Sequence, residues 1–268
     1  MSKCLLEKIG PGTKRKVNIK ELKKMIANKD SSISDVDVSD ITNMRELFYL
    51  SDFGGSWTAD LSEWDTSKVE DMSYMFAGCT KLTKVELPHT ENVTEMWSMF
   101  NGCTSLTEVV LVRTENVVNM TFMFNGCLNL SKVDLPHTEN VKYVYAMFNG
   151  CKNLTKVELN DTKKVADMIC MFRYCTSLKE VSLPHTENVT DMHHMFNGCK
   201  NLTKVELNDT KKVKDMRGMF YNCENLEQDF SNWNAKNIRN GFMFDGCTKM
   251  QDAYNKGNNL YPKGYKQC

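Results

Sequence analysis

The chain has 268 residues, and its 34 Lys and Arg side chains are balanced by 34 Asp and Glu, so no net field steers it to nucleic acid or to an anionic membrane. No apolar run approaches the ~20 residues of a membrane-spanning helix, and the start, from Met1 to Lys8, lacks the apolar stretch of a secretory signal, so the chain as written reads as cytoplasmic. Eleven cysteines would suit a disulfide framework, but eight of them fall at a fixed step and call for another explanation.

The first 32 residues read as an N-terminal helical cap, in which Asn18 caps a helix that lines up Ile19, Leu22, Met25 and Ile26 on one face. Ile33, Val36 and Val38 follow at strand spacing, and Ile41, Met44, Leu47 and Phe48 open a helical face. Phe48 and Phe76 are 28 residues apart, which implies a four-residue insertion near Gly54-Gly55. From there Met-Phe recurs at residues 75, 99, 123, 147, 171, 195, 219 and 243, always 24 residues apart. A fixed period of this size predicts a solenoid, since one unit cannot bury its own apolar face and must share a continuous core with its neighbours.

Read from Cys103, the unit is C-x-x-L-x-x-V-x-L-x-x-T-x-x-V-x-x-M-x-x-M-F-x-G. Val109 and Leu111 alternate as on a half-buried strand, with Leu106 at the corner before them. Val117, Met120, Met123 and Phe124 recur as one face of a short helix, which Gly126 ends. The expected fold class is therefore an α/β solenoid of the leucine-rich-repeat type, one short parallel strand and one short helix per coil, with about nine coils over residues 33–250. Tyr174 and Asn222 replace the terminating glycine, and Tyr174 should be strained there. The Thr row, Thr90 to Thr210, is placed to cap each helix, and the methionines face the core. Equivalent cysteines point the same way in stacked coils, so Cys79, Cys103, Cys127, Cys151, Cys175, Cys199, Cys223 and Cys247 are expected as buried free thiols. Asp229 to Trp233 echoes Asp60 to Trp64, marking wider flanking coils, and residues 251–268 form a C-terminal tail expected to fray.

The repeat resembles that of the BspA-like leucine-rich-repeat surface proteins, roughly D-x-S-x-V-x-D-M-S-x-M-F-x-G-C-x-x-L. Asp65-Thr66-Ser67-Lys68-Val69-Glu70-Asp71-Met72-Ser73-Tyr74-Met75-Phe76-Ala77-Gly78-Cys79 follows it almost residue for residue, and the likeness runs from about Ile33 to Met250. The resemblance implies an adhesive or protein-binding role at a cell surface, without catalysis, toward a host or extracellular-matrix protein or a glycan. The alternative is an intracellular scaffold or secreted effector, acting as a monomer through the same surface.

Candidate partner-binding residues are those that vary between the core beats. One outward strand row is Lys84, Glu108, Lys132, Lys156, Glu180 and Lys204, and the next includes Glu86, Asp134, Glu158 and Glu206. Both are expected to pair opposite charges across strands. Just after the strands lies His89, Arg113, His137, Asp161, His185 and Asp209, in which neighbouring carboxylates should pair with the imidazoles. One ligand per coil on an open face is poor chelation, so no metal is assigned. No GxxxxGK[ST], GxSxG or HExxH motif and no cofactor signature is present, so no enzyme is expected.

Overall fold

The computed structural model describes residues 14–51, 57–87, 89–159 and 161–265. The insertion near Gly54-Gly55 lies outside them. Strand β1 (Arg15–Lys16) precedes helix α1 (Ile19–Ala27) and pairs in parallel with β2 (Val36–Asp37). Asn18 Oδ1 accepts from the amides of Lys20 and Glu21 at 3.0 and 3.1 Å, and Glu21 Oε2 accepts from the Asn18 amide at 3.1 Å. This reciprocal cap satisfies amides that the first turn of a helix leaves free. The helix buries Leu22, Met25 and Ile26 against the end of the stack.

One strand per coil follows: β3 (Trp57–Asp60), β4 (Leu82–Leu87), β5 (Glu108–Leu111), β6 (Lys132–Leu135), β7 (Lys156–Leu159), β8 (Glu180–Leu183) and β9 (Lys204–Leu207). Pairing is parallel and in repeat register, as at Val85 opposite Val109 and Leu87 opposite Leu111. The ladder runs in three blocks, β3-β4-β5, β6-β7 and β8-β9. Gln228 closes the far side of β9: its Oε1 accepts from the Val205 amide at 2.7 Å and its Nε2 donates to the Val205 carbonyl at 2.8 Å. A side-chain amide thus takes the place of a further strand and blunts the edge.

The solenoid and its strands are as expected, but the helix of each coil is not formed. No α-helix lies between β4 and β9 among the described residues. The Met75 amide donates to Met72 O and the Cys79 amide to Phe76 O, the i to i+3 bonds of successive β-turns. The amides of Met72, Tyr74, Phe76 and Gly78 instead donate to the carbonyls of Glu95, Trp97, Met99 and Asn101 in the next coil, at 2.7 to 2.9 Å. Alternate amides are committed between coils, so none is left for the i−4 bonds of an α-helix. Two residues per coil adopt a left-handed backbone, for example Tyr74 (φ 57) and Gly78 (φ 75). Tyr174 occupies the second of these sites with φ 60, the backbone anticipated for it.

The beat residues are the core. Phe48, Phe76, Phe100, Phe124, Phe148, Phe172, Phe196, Phe220 and Phe244 stack as parallel rings, with centroids 5.0 to 5.6 Å apart. Each ladder thiol donates to the Phe carbonyl of the preceding coil, from Cys79 to Phe48 O at 2.9 Å through Cys247 to Phe220 O at 2.9 Å. The eight ladder cysteines are free and buried. The threonines do not cap helices; their hydroxyls bond between coils, Thr114 to His137 O at 2.7 Å and Thr186 to Asp209 O at 2.7 Å.

The C-terminal segment, expected to fray, is bound into the end of the stack as far as Tyr265. Helix α2 (Thr248–Asn255) buries Met250 and Ala253. The amide of Phe230 donates to Leu260 O and that of Ala235 to Lys263 O, while Tyr261 and Tyr265 stand edge-on to Phe244 at 5.3 and 5.2 Å. The aromatics of this segment give the last Phe ring the cover that a further coil would supply.

Candidate functional site

The strand face is built by period-two alternation: Val85 and Leu87 point inward, and Lys84 and Glu86 between them point out. The structure puts Lys84 opposite Glu108, where Nζ and Oε1 meet at 2.9 Å. This is the cross-strand pair the charge pattern predicts. Further along, pairing turns along the strand. Lys156 bonds Glu158, and Lys204 bonds Glu206 at 2.6 Å, both two residues on in the same strand. Register then leaves like charges abreast, Lys132 beside Lys156 and Asp134 beside Glu158. Glu180 lies opposite Lys204, whose ammonium is engaged by Glu206.

Between β7 and β8, where two blocks of the ladder meet, the face opens into a cleft of about 580 Å³. Its rim carries Lys156, Glu158, Lys179, Glu180, Lys204 and Glu206, and its floor is apolar, with Val157, Leu159 and Val181. The carboxyls of Glu158 and Glu206 are held below the usual range, first by the hydrogen bond from the neighbouring lysine and then by its charge.

The row after the strands is wired within each coil. Arg113 meets Glu115 at 2.7 Å, Asp161 meets Lys163 at 3.2 Å and Asp209 meets Lys211 at 3.4 Å, while His89 Nδ1 lies 4.0 Å from Glu91. Among the described residues no His–Asp ion pair joins the coils at His137, Asp161, His185 and Asp209, where that pairing was anticipated; Asp161 and Asp209 each meet a lysine two residues away in their own turn. Burial works against ionisation of Asp161, yet the hydrogen bonds from Lys163 outweigh it and hold the carboxyl low. His137 stays exposed and His185 is half-buried.

Ligand-type side chains converge elsewhere, on the turn face. Among the described residues Asp191, His193 and Asp215 bring ligand atoms within 4.8 Å of one another. Asp215 is 1% exposed and its carboxylate is taken by two guanidiniums, Arg217 at 2.7 Å and Arg239 at 2.9 Å. Asp191 Oδ1 lies 2.8 Å from His193 Nδ1. Two cations already neutralise this cluster, which makes it an ion-pair network and a poor host for a metal. The turn face also bears aromatic side chains that periodicity could not single out, Tyr74, Trp97, Phe122 and Tyr145. The signal was available in the sequence, as variable positions between the core beats that hold large rings.

Parallel strands in a 24-residue register, a Leu, Val and Phe core and inter-coil turn ladders define a leucine-rich-repeat solenoid. The chain belongs to the family described as "Mycoplasma protein of unknown function, DUF285", whose model matches residues 17–132, 83–182 and 178–260. No curated protein matches the sequence. Among solved structures, a leucine-rich repeat protein of T. pallidum is similar at 21% identity and a TM-score of 0.47, over 74% of this chain and 81% of that one. A leucine-rich repeat protein of Bacteroides ovatus is similar at 20% identity and a TM-score of 0.44, over 68% and 57%. A leucine rich cell surface protein of Faecalibacterium prausnitzii follows at 16% identity and a TM-score of 0.28, over 84% and 78%. No helix among the described residues is long and apolar enough to cross a membrane.

Proposed function

We propose that this solenoid is a non-enzymatic adhesion module that grips a protein partner with its strand face. The observation that carries the reading is the cleft between β7 and β8, which joins an apolar floor to a ring of lysine and glutamate side chains. Apolar centres with polar rims are the usual anatomy of protein recognition sites. The like-charged neighbours Lys132 and Lys156, and Asp134 and Glu158, add to it: like charges abreast on a sheet are unfavourable alone, and a complementary surface relieves them. His89, Arg113, His137, Asp161, His185 and Asp209 border the face and extend the contact area.

A comparison of cross-linked partners of wild type and the triple variant Lys132→Glu, Lys156→Glu, Lys204→Glu tests the reading. Partners lost from the variant alone support it; the same partners captured equally by both proteins remove the strand face as the site.

A further inference from the structure

The turn face carries a cluster of aromatic rings, separate from the strand face and independent of the reading above. Tyr74 stands edge-on to Trp97 with centroids 4.9 Å apart, and Tyr49 stands edge-on to Tyr74 at 6.3 Å. These rings belong to three successive coils and none of them is part of the Phe core. Tyr49 is 49% exposed. This turn position is left-handed in every coil, from Glu46 (φ 59) and Ser98 (φ 55) to Gly218 (φ 57) and Phe242 (φ 58), so the fold sets the backbone of Tyr74 and leaves its side chain free to vary.

The chemistry of this surface is legible in what already occupies it. The guanidinium of Arg45 lies 5.3 Å from the Tyr74 ring centre and 5.5 Å from that of Trp97, so the pair presents π faces to a cation. Beside the rings, an inter-coil bridge sets Asp71 next to Glu95. Neither carboxylate has an ion-pair partner among the described residues. Five coils farther along the same row, Asp191 and Asp215 are likewise bridged, and there Arg217 and Arg239 supply counter-charge to Asp215. Guanidiniums of the stack thus neutralise Asp215, whereas Asp71 accepts from neutral donors, Asn43 Nδ2 at 3.4 Å and the Ser73 amide at 2.8 Å, beside a cation-binding ring pair.

We infer that Tyr74, Trp97, Asp71 and Glu95 form a docking site for an arginine-bearing peptide segment of a partner protein. The incoming guanidinium stacks on the rings while the carboxylates accept its N–H groups, in competition with Arg45. No bond is made or broken.

Calorimetric titration with hexa-arginine peptide, and with hexa-citrulline as its uncharged isostere, tests the site. Wild type should bind the arginine peptide and not the citrulline one. Tyr74→Gly suits the left-handed backbone, so its melting temperature should stay at or above that of wild type while affinity falls about fivefold. The pair Asp71→Asn, Glu95→Gln keeps the Asx turn, in which Asp71 Oδ1 accepts from the Ser73 amide, and should lose binding to a similar degree. Arg45→Ala should tighten binding by vacating the rings. Equal affinity in wild type and Tyr74→Gly, equal affinity for both peptides, weaker binding by Arg45→Ala, or a neutral oligosaccharide that binds with the same Tyr74 dependence in place of the peptide would each overturn the assignment.

Discussion

The thiol ladder makes the solenoid sensitive to alkali. Burial pushes the thiols of Cys79, Cys151, Cys199 and Cys247 up to about 12, and those of Cys103, Cys127, Cys175 and Cys223 well above the ordinary thiol range. In the unfolded chain the same groups ionise near ~8.5. Above that pH the unfolded state has released protons that the native state retains, so stability is complete below about pH 8.5 and falls as pH rises toward the native-state values. Each thiol contributes a slope of about −1.4 kcal/mol per pH unit, and the eight together reach about −11 kcal/mol per unit. A domain stable by roughly 5–15 kcal/mol should therefore unfold cooperatively between about pH 9 and 10.5.

Urea midpoints at pH 8, 9 and 10 under reducing conditions measure this slope. Tyrosines and lysines also titrate in that range, so the decisive quantity is a difference: Cys127→Ala should show a slope shallower by about 1.4 kcal/mol per pH unit, on top of a pH-independent cavity cost. A midpoint that does not move between pH 8 and 10, an unchanged slope in the variant, or native-state thiols that react with a thiol reagent as fast as a free peptide would refute the account.

Phe148→Ala should cost about 4–6 kcal/mol, from the cavity it leaves and the loss of two ring contacts at 5.5 Å; a loss under about 2 kcal/mol in denaturant titration would mean that the ring ladder is not a cooperative core. Gly198→Ala should destabilise by about 1–3 kcal/mol, because its backbone is left-handed (φ 76) and a Cβ would lie 2.5 Å from Tyr174 Cδ1. The same change in a Tyr174→Gly background should cost less, which a double-mutant cycle in Tm or ΔG would register. Burial opposes the charge on Asp215, but Arg217 and Arg239 outweigh it and hold the carboxyl low. Its stabilising contribution is present above the unfolded carboxylate range and lost as pH falls below about 4, so Asp215→Asn should flatten the acid limb of the stability profile and leave the alkaline limb unchanged.

The core was legible residue by residue because a core position in a solenoid meets the same neighbours in every coil. Val85, Leu87, Met75, Phe76 and Cys79 are all 0% exposed, and each belongs to a row visible in the sequence. The turn segment was misread for a physical reason. Apolar residues at i, i+3 and i+4 mark any backbone that returns to the same face about every three and a half residues, and overlapping β-turns do so as well as an α-helix. What separates the two is the destination of alternate amides, such as Tyr74 N to Trp97 O, and no side-chain pattern encodes a bond to a carbonyl 23 residues away. The left-handed residues could have pointed to it: Gly78 was read as a helix stop, while its partner site at Tyr74 carries no sequence signature at all.

Charge rows were legible as rows but not as pairings. Opposite charges on adjacent strands and opposite charges two residues apart on one strand compete for the same side chains. In Lys204 the closer choice wins, with Glu206 in its own strand at 2.6 Å over Glu180 across the ladder. The same local rule wires Asp161 to Lys163 and Asp209 to Lys211. A charge whose partner is two residues away on its own coil tells the next coil nothing, so these pairs neither set register nor bind coils together. Register rests instead on the Phe, Cys and Thr ladders, which frees the outward positions on both faces to change from coil to coil without loss of the stack. Recognition must therefore be sought where the local rule leaves something over: like charges abreast at β6 and β7, the cleft beside them, and Asp71 and Glu95 next to the half-buried Tyr74 and Trp97 rings.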